Sequence, residues 1–227
     1  MEKVAVIVAG GTGTRMGTET PKQFLELNGR PIMAHTIDAF FSAFPDIQII
    51  LVLPPNFREE GDQIINGYFP GKPIQITSGG NTRFDSVKNG LSLVKEPSVI
   101  FVHDAVRCLV SPSLIRDCYT SALLHGTAIP VIPVKDTIRR ILENGSEVVN
   151  RETLRAVQTP QTFQSEILLP AFQTGYQPSF TDEATVVEHS GHKVNLIAGE
   201  ERNIKITVPA DLDFARQVLS EQFNAGV

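Results

Sequence analysis

Residues 9–23, Ala-Gly-Gly-Thr-Gly-Thr-Arg-Met-Gly-Thr-Glu-Thr-Pro-Lys-Gln, join a glycine-rich backbone to two fixed cations, Arg15 and Lys22. They follow the apolar run Val4–Val8, which reads as a buried strand. Glycine lets a backbone turn tightly and bring its N–H groups close to a ligand. Pro21 holds the chain just before Lys22 and limits where the ammonium can go. A polyphosphate needs such a loop with cations beside it, so this is a candidate nucleotide-triphosphate site. The spacing excludes two common phosphate loops. A dinucleotide fingerprint would need a small residue where Met16 stands, and no Gly-Lys-Ser/Thr string follows a glycine as a P-loop requires. For phosphoryl or nucleotidyl transfer, a protein mainly positions groups and neutralises charge developing on phosphate oxygens. Lys and Arg do this without a protein nucleophile.

Three further segments carry polar chemistry after apolar runs. Gly79-Gly80-Asn81-Thr82-Arg83-Phe84-Asp85-Ser86 leaves a strand and enters a helix; Asn81 or Ser86 could read a base edge, and a helix cap at Asn81 or Thr82 explains the segment equally well. His103-Asp104-Ala105-Val106-Arg107 follows Val99–Val102. An Asp at the carboxyl end of a central strand could bind a metal or accept hydrogen bonds from substrate hydroxyls, while His103 reads as a base or, more commonly, as a structural residue. Asn203-Ile204-Lys205-Ile206-Thr207 places Lys205 in a short strand, as an edge-strand charge or a ligand contact.

The elements that must position these residues follow from hydrophobic patterning. Strands are expected at 3–9, 47–53, 73–78, 98–102 and 127–132, with helices near 31–44, 56–67, 81–94 and 111–125. Ser111-Pro112 and Gly126 mark the two ends of the last of these helices. Alternation of this kind predicts an α/β fold whose mostly parallel sheet is covered on both faces. Ligands then collect at the carboxyl ends of the strands, where 9–23, 78–86 and 103–107 are expected. The pattern changes at 134–158, where Asn144-Gly145 between two alternating runs predicts a hairpin, either lying on its own domain or reaching as an arm to a second subunit. Thr181-Asp182-Glu183 and Pro209-Ala210-Asp211 open two more helices.

At 227 residues with 41% hydrophobic content, the chain suits one domain, 1–227, with 134–158 as a subregion. A net charge of -5 argues against general nucleic-acid binding but not against a small anionic ligand near local cations. No apolar run reaches membrane-spanning length, and the chain starts directly in a strand without a signal-peptide pattern. Cys108 and Cys118 have neither disulfide-framework nor metal-ligand spacing, which fits reduced thiols in a cytoplasmic protein.

Taken in order, Ala-Gly-Gly-x-Gly-x-Arg-Met-Gly…Pro-Lys-Gln-Phe, Gly-Gly-x-x-Arg-x-x-Ser-Val, His-Asp-Ala-x-Arg, Pro-Val-Lys-Asp-Thr, Gln-Thr-Pro-Gln-x-Phe, Thr-Asp-Glu-Ala and Asn-Ile-Lys-Ile-Thr resemble the 2-C-methyl-D-erythritol 4-phosphate cytidylyltransferases of the non-mevalonate isoprenoid pathway, from about residue 3 to 220. The resemblance implies a Rossmann-like three-layer nucleotidyltransferase fold with a twisted, mostly parallel sheet, and a homodimer formed through a protruding β-arm. It implies that the substrate phosphate attacks the α-phosphate of CTP, with Mg2+ mainly on the triphosphate and Asp104 as the candidate protein contact. It assigns Arg15 and Lys22, with Lys205, to catalysis. It assigns Ala9, Gly10, Gly11, Gly80, Asn81, Arg83, Ser86, Asp104 and Ala105 to the nucleotide. Asp104, Arg107, Thr181, Thr159, Lys205 and Arg151, the last from the partner subunit, fall to the polyol phosphate. Two residues depart from the family pattern. Gly10 stands where alanine is usual, as in the related ribitol-5-phosphate cytidylyltransferases, and Cys108 stands where proline is usual. A ribitol-5-phosphate cytidylyltransferase and a non-catalytic nucleotide-binding module remain the alternatives.

Overall fold

The computed structural model describes residues 1–10, 20–95 and 97–224, the last three of these in backbone only. The chain runs β1 (Glu2–Val8), β2 (Glu26–Leu27), β3 (Arg30–Pro31), α1 (Ile32–Ala43), β4 (Gln48–Leu53), α2 (Arg58–Tyr68), β5 (Ile74–Ser78), α3 (Arg83–Leu91) and β6 (Ser98–Asp104). It continues with α4 (Pro112–His125), β7 (Thr127–Pro133), β8 (Ile138–Leu142), β9 (Gly145–Val149), β10 (Arg155–Val157), β11 (Gln161–Gln164), α5 (Ser165–Ala171), α6 (Glu183–His189), β12 (Leu196–Ala198) and α7 (Pro209–Asn224).

The main sheet has the order β10-β7-β11-β6-β1-β4-β5, with β12 also on β7. β5, β4, β1 and β6 are mutually parallel, as are β12 and β7; β11 and β10 enter antiparallel. Each central strand is buried on both faces, which is why it reads as an unbroken apolar run. Side chains alternate across the sheet. Ala5, Ile7, Ile49, Leu51 and Phe101 meet Met33, Ile37 and Phe40 of α1 and Leu114, Ile115 and Cys118 of α4. Val4, Val6, Ile50, Val52, Ile100 and Val102 meet Phe84, Val87 and Leu91 of α3, Leu168 of α5 and Val186 and Val187 of α6. The result is helix, sheet, helix.

The predicted strands and helices are present, with shifted ends. β6 runs to Asp104 rather than stopping at 102, because its pairing with β1 continues through Ile7↔His103 and Val8↔Asp104. His103 and Asp104 are therefore strand residues. α3 begins at Arg83, capped by Thr82 through a reciprocal box with Asp85. Ser111 caps α4 ahead of Pro112, and Gly126 ends it at φ 82°. The stretch 203–207 is not a strand; its one ladder-like bond is Ile206 N–H to Val106 O at 3.0 Å. β10, β11, β12 and α5 had no separable signal, being short and adjoined by other elements.

The hairpin at 134–158 is a two-stranded sheet, β8 with β9, that pairs with no other strand among the described residues. Leu142 pairs with Gly145, so Glu143 and Asn144 form the turn and Gly145 takes the positive φ of 110°. Ile141, Leu142 and Val148 are exposed on it. No helix among the described residues is long and apolar enough to cross a membrane.

Three chain segments meet at the carboxyl ends of the parallel strands, held by short crossing bonds: Ala9 N–H to Val52 O, Gly79 N–H to Leu53 O and Ala105 N–H to Val8 O. Strand order reverses between β1, which leads on to β4 and β5, and β6 on its other side. That is where an open α/β sheet leaves a crevice.

Candidate active site

Asp104 ends β6 with little exposure and is surrounded by cations. Lys205 Nζ is 2.9 Å from Oδ2, Arg107 Nε is 3.5 Å from the same oxygen, and Arg83 Nη2 is 3.4 Å from Oδ1. Burial alone would favour the neutral acid, but Arg83, Lys205 and Arg107 outweigh it and hold the carboxyl well below the usual carboxylate range. Arg83 is also gripped by Glu183, which is buried at the first turn of α6, through two N–H donors, one of them at 3.1 Å from Oε2. Burial pushes Glu183 up from the ordinary carboxylate range while Arg83 pulls against it. The pair ties the start of α3 to the start of α6, across the end of β6.

Behind Asp104 lies a fully buried relay. His103 Nε2 is 3.2 Å from Arg107 O, an acceptor, so that nitrogen carries the proton and Nδ1 accepts from Thr159 Oγ1 at 2.9 Å. Thr159 Oγ1 in turn accepts the Asp104 N–H at 3.1 Å. Burial lowers His103 to about 3, so it is neutral and both its nitrogens are committed. This excludes the general-base reading of His103. In this arrangement the Thr159 hydroxyl bridges the His103 ring and the Asp104 N–H and so orients the end of β6. Arg107 is turned inward, donating through Nη1 to Asn203 O at 2.8 Å.

The 79–86 turn is shaped by Ser86, whose hydroxyl donates to Thr82 O at 2.9 Å and accepts Gly80 N–H at 3.1 Å. Ser86 thus builds the loop before it reads anything. Asn81 is exposed beside it. A Cβ on Gly80 would fall 2.3 Å from Asp85 Cβ, so only glycine fits there. A Cβ on Gly10 would meet Ser86 Oγ at 3.3 Å and Ser86 Cβ at 3.9 Å. The departure at Gly10 therefore faces the 79–86 loop, not Asp104 and Lys205. Cys108 packs among Leu27, Ile32, Val106 and Ile206, and burial raises its thiol to about 12.

Gly11 and Arg15 lie outside the described residues. The two ends of their loop are described. Ala9 and Gly10 leave β1, and Gln23, itself buried, returns an Nε2 donor to Ala9 O at 2.6 Å. Lys22 is buried and donates to Ile206 O at 2.8 Å, next to Lys205 in sequence. The structure thus brings Lys22, Lys205, Asp104, Arg83 and Arg107 into one neighbourhood. Thr181 is exposed just before α6, two residues from Glu183, and Ala105 is buried after Asp104. Arg151 is not brought there by its own chain; it is half-exposed, beside Glu152 and bonded to Lys135 O.

Among the described residues no three His, Cys, Asp or Glu side chains cluster as a metal site. Asp104 fits poorly as a metal ligand here, since both its oxygens already face cations.

Sequence reasoning missed Glu183 as a partner of Arg83, and missed the buried amides of Gln158, Gln23 and Asn203. Glu183 was read only as part of a helix opening, because its partner lies a hundred residues away. No local spacing signals such a pair.

The family model for 2-C-methyl-D-erythritol 4-phosphate cytidylyltransferase (IspD) matches residues 3–221. A relative of that name from Bacteroides thetaiotaomicron is 44% identical over 219 residues, covering 96% of this chain and 100% of the relative. The crystal structure of 2-C-methyl-D-erythritol 4-phosphate cytidylyltransferase from Thermus thermophilus superposes with a TM-score of 0.77 at 33% identity, covering 97% of this chain and 100% of that one. That of the 4-diphosphocytidyl-2C-methyl-D-erythritol synthase from Anaerococcus prevotii gives 0.82 at 27% identity, with 96% of each chain covered. On a match that spans its sheet, both helix layers and every described part of the Asp104 neighbourhood, the chain belongs to the 2-C-methyl-D-erythritol 4-phosphate cytidylyltransferase family.

Proposed function

We propose that this chain joins CTP to 2-C-methyl-D-erythritol 4-phosphate in isoprenoid biosynthesis. A phosphate oxygen of the polyol phosphate attacks the α-phosphorus of CTP. The bond from that phosphorus to the bridging oxygen breaks, and pyrophosphate leaves with the electron pair. The attacking phosphate is already ionised, so no acid–base residue is required. The task is to hold two anions together.

The observation that carries this reading is the Asp104 carboxylate with Lys205 at 2.9 Å, at the crevice where Ala9 and Ala105 leave β1 and β6. A carboxylate held ionised accepts hydrogen bonds from polyol hydroxyls, and Thr181 lines a pocket with Arg83 and Glu183, the pair next to Asp104. Lys205 is the most exposed of the three cations on Asp104, and its ammonium has further donors for the substrate phosphate. Lys22, with Arg15, faces the triphosphate; Gly10, Gly11 and the Gly80–Ser86 turn receive the nucleoside. A divalent metal belongs to this reading as a companion of the triphosphate oxygens, without a protein ligand set.

The chain acts as one domain over 1–227. Its β8–β9 arm packs against a second copy and delivers Arg151 to that copy's polyol phosphate, and the protein works in the cytoplasm. Support for the arm is the apolar surface left exposed by Ile141, Leu142 and Val148 on a ribbon too small to stand alone. Methylerythritol phosphate is favoured over ribitol phosphate by the family match and by the position of Gly10, which faces Ser86 and leaves the polyol side unaltered. Steady-state pyrophosphate release from CTP with each polyol phosphate tests the assignment. Turnover with the methylerythritol compound is expected; preference for ribitol phosphate overturns the polyol, and no turnover with either overturns the enzyme.

A further inference from the structure

Lys205 sits on a stretch, 199–207, that has no regular secondary structure, yet its ammonium is held on one carboxylate oxygen. Something other than a ladder must fix the backbone there, because a lysine on a free loop has too many rotamers to hold one place.

Two buried amides do so. Gln158 is 3% exposed and Asn203 fully buried. Gln158 Nε2 donates to Glu200 O at 2.7 Å while its Oε1 accepts Glu200 N–H at 3.1 Å. This reciprocal pair imitates a strand partner, and it fixes which way the amide points. The same Nε2 reaches Asn203 O at 3.3 Å, which Arg107 Nη1 also approaches at 2.8 Å. Asn203 Nδ2 donates to Thr159 O at 2.8 Å, next to Gln158 in the chain. Downstream, Lys22 Nζ takes Ile206 O. Lys205 is thus bracketed on both sides.

Gly199 provides an independent sign that this clasp is closely fitted. A Cβ there would lie 2.4 Å from Gln158 Oε1 and 3.2 Å from Val131 N, so any side chain would force the amide away.

We propose that Gln158, with Asn203, is a positioning residue that sets Lys205 on Asp104 and thereby tunes affinity for the phosphate-bearing co-substrate, but not for the nucleotide. The inference rests on the reading of Lys205 as a phosphate ligand, and the experiment separates the two. Steady-state KM for each substrate is measured in Gln158→Leu, Gly199→Ala and Lys205→Met, together with hydrogen exchange of the 199–207 amides by mass spectrometry. Gln158→Leu removes the clasp by chemistry and Gly199→Ala displaces it by volume, so either suffices if the other fails to fold.

Both are expected to raise KM for the polyol phosphate about tenfold or more, with KM for CTP moving less than about twofold and the 199–207 amides exchanging faster. If Lys205→Met raises that KM but the clasp variants leave it unchanged, the clasp is overturned. An equal rise in both KM values makes Gln158 a general structural residue and also overturns it. If Lys205→Met has no effect on KM for the polyol phosphate, the role of Lys205 itself fails, and the inference falls with it.

Discussion

Lys205 Nζ stands 2.9 Å from Asp104 Oδ2, an ion pair between a stretch without strand pairing and the last residue of β6. Two arginines share the same carboxylate, so three cations gather on one anion, with Glu183 as a second anchor for Arg83 alone. Removing that anion must therefore disturb more than one contact.

Asp104→Asn keeps the shape and removes the charge. Arg107 and Lys205 would then lose their carboxylate partner and face Arg83, which keeps only Glu183 as a counter-ion. Folding stability in urea is expected to fall by about 3 kcal/mol, the scale for breaking a buried pair from one side. kcat/KM for the polyol phosphate should fall about 100-fold or more, since the hydroxyl anchor is lost along with the Lys205 position. Wild-type turnover in this variant would remove Asp104 from the site.

His103 makes stability depend on pH. Its folded value, lowered to about 3 by burial, lies below the ordinary value of 6.5, so between these limits the unfolded chain binds the extra proton. The neutral ring stabilises the fold fully above pH 6.5, and the benefit shrinks as pH falls towards 3, by about 1.4 kcal/mol per pH unit. His35, also lowered by burial, adds in the same direction. Asp104, whose value is depressed instead, loses its contribution only below the ordinary carboxylate range. Comparing the Tm of wild type and His103→Gln from about pH 7.5 to 5 isolates the histidine: the wild type should lose more. Parallel curves would contradict the buried neutral ring.

Lys22→Met tests the triphosphate side. The ammonium is buried, and donates to Ile206 O beside Lys205, so it is held where two anions would meet. Loss of a positioned cation that acts on developing charge lowers kcat about 100-fold or more. Pyrophosphate release at the wild-type rate would defeat the proposed role.

The arm can be tested by complementation. Sedimentation should show a dimer, and an Ile141→Asp, Val148→Asp variant should sediment as a monomer with little activity. Mixed after co-refolding, Arg151→Ala and Lys205→Met chains should recover about a quarter of wild-type activity, as a two-fold dimer with sites built from both chains requires. No recovery would place Arg151 outside the partner's site.

Gly90 tests the packing that sets the 79–86 turn over the sheet. A Cβ there would lie 2.5 Å from Val6 Cγ1 and 3.0 Å from Val52 Cγ2. Gly90→Ala is expected to cost about 1–3 kcal/mol in spite of the better helix former, because α3 must lift from β1 and β4. A stability gain in urea would show that α3 has room.

Much of this was legible in the chain itself. The runs Val4–Val8, Ile49–Leu53 and Val99–Val102 announced buried parallel strands, because a strand covered on both faces needs apolar residues at every position. Ser111-Pro112 and Gly126 marked α4 by cap chemistry that acts within a single turn. The polar segments after β1, β5 and β6 were placed at one end of the sheet by the handedness and direction that βαβ units impose.

The sequence by itself therefore determined the layers, the direction of the strands and which segments would meet, since these follow from unbroken apolar runs in the buried strands, a period of 3.6 residues in the helices and the alternation of the two. Only the tertiary structure decided what the polar side chains do on meeting. It turned Thr159 and Arg107 inward, made His103 a neutral spacer, paired Arg83 with Glu183 and clasped the Lys205 stretch with Gln158 and Asn203. Most of these are contacts between residues far apart in the chain, whose energy depends on burial and on direction. Neither quantity exists until the sheet has brought the partners together.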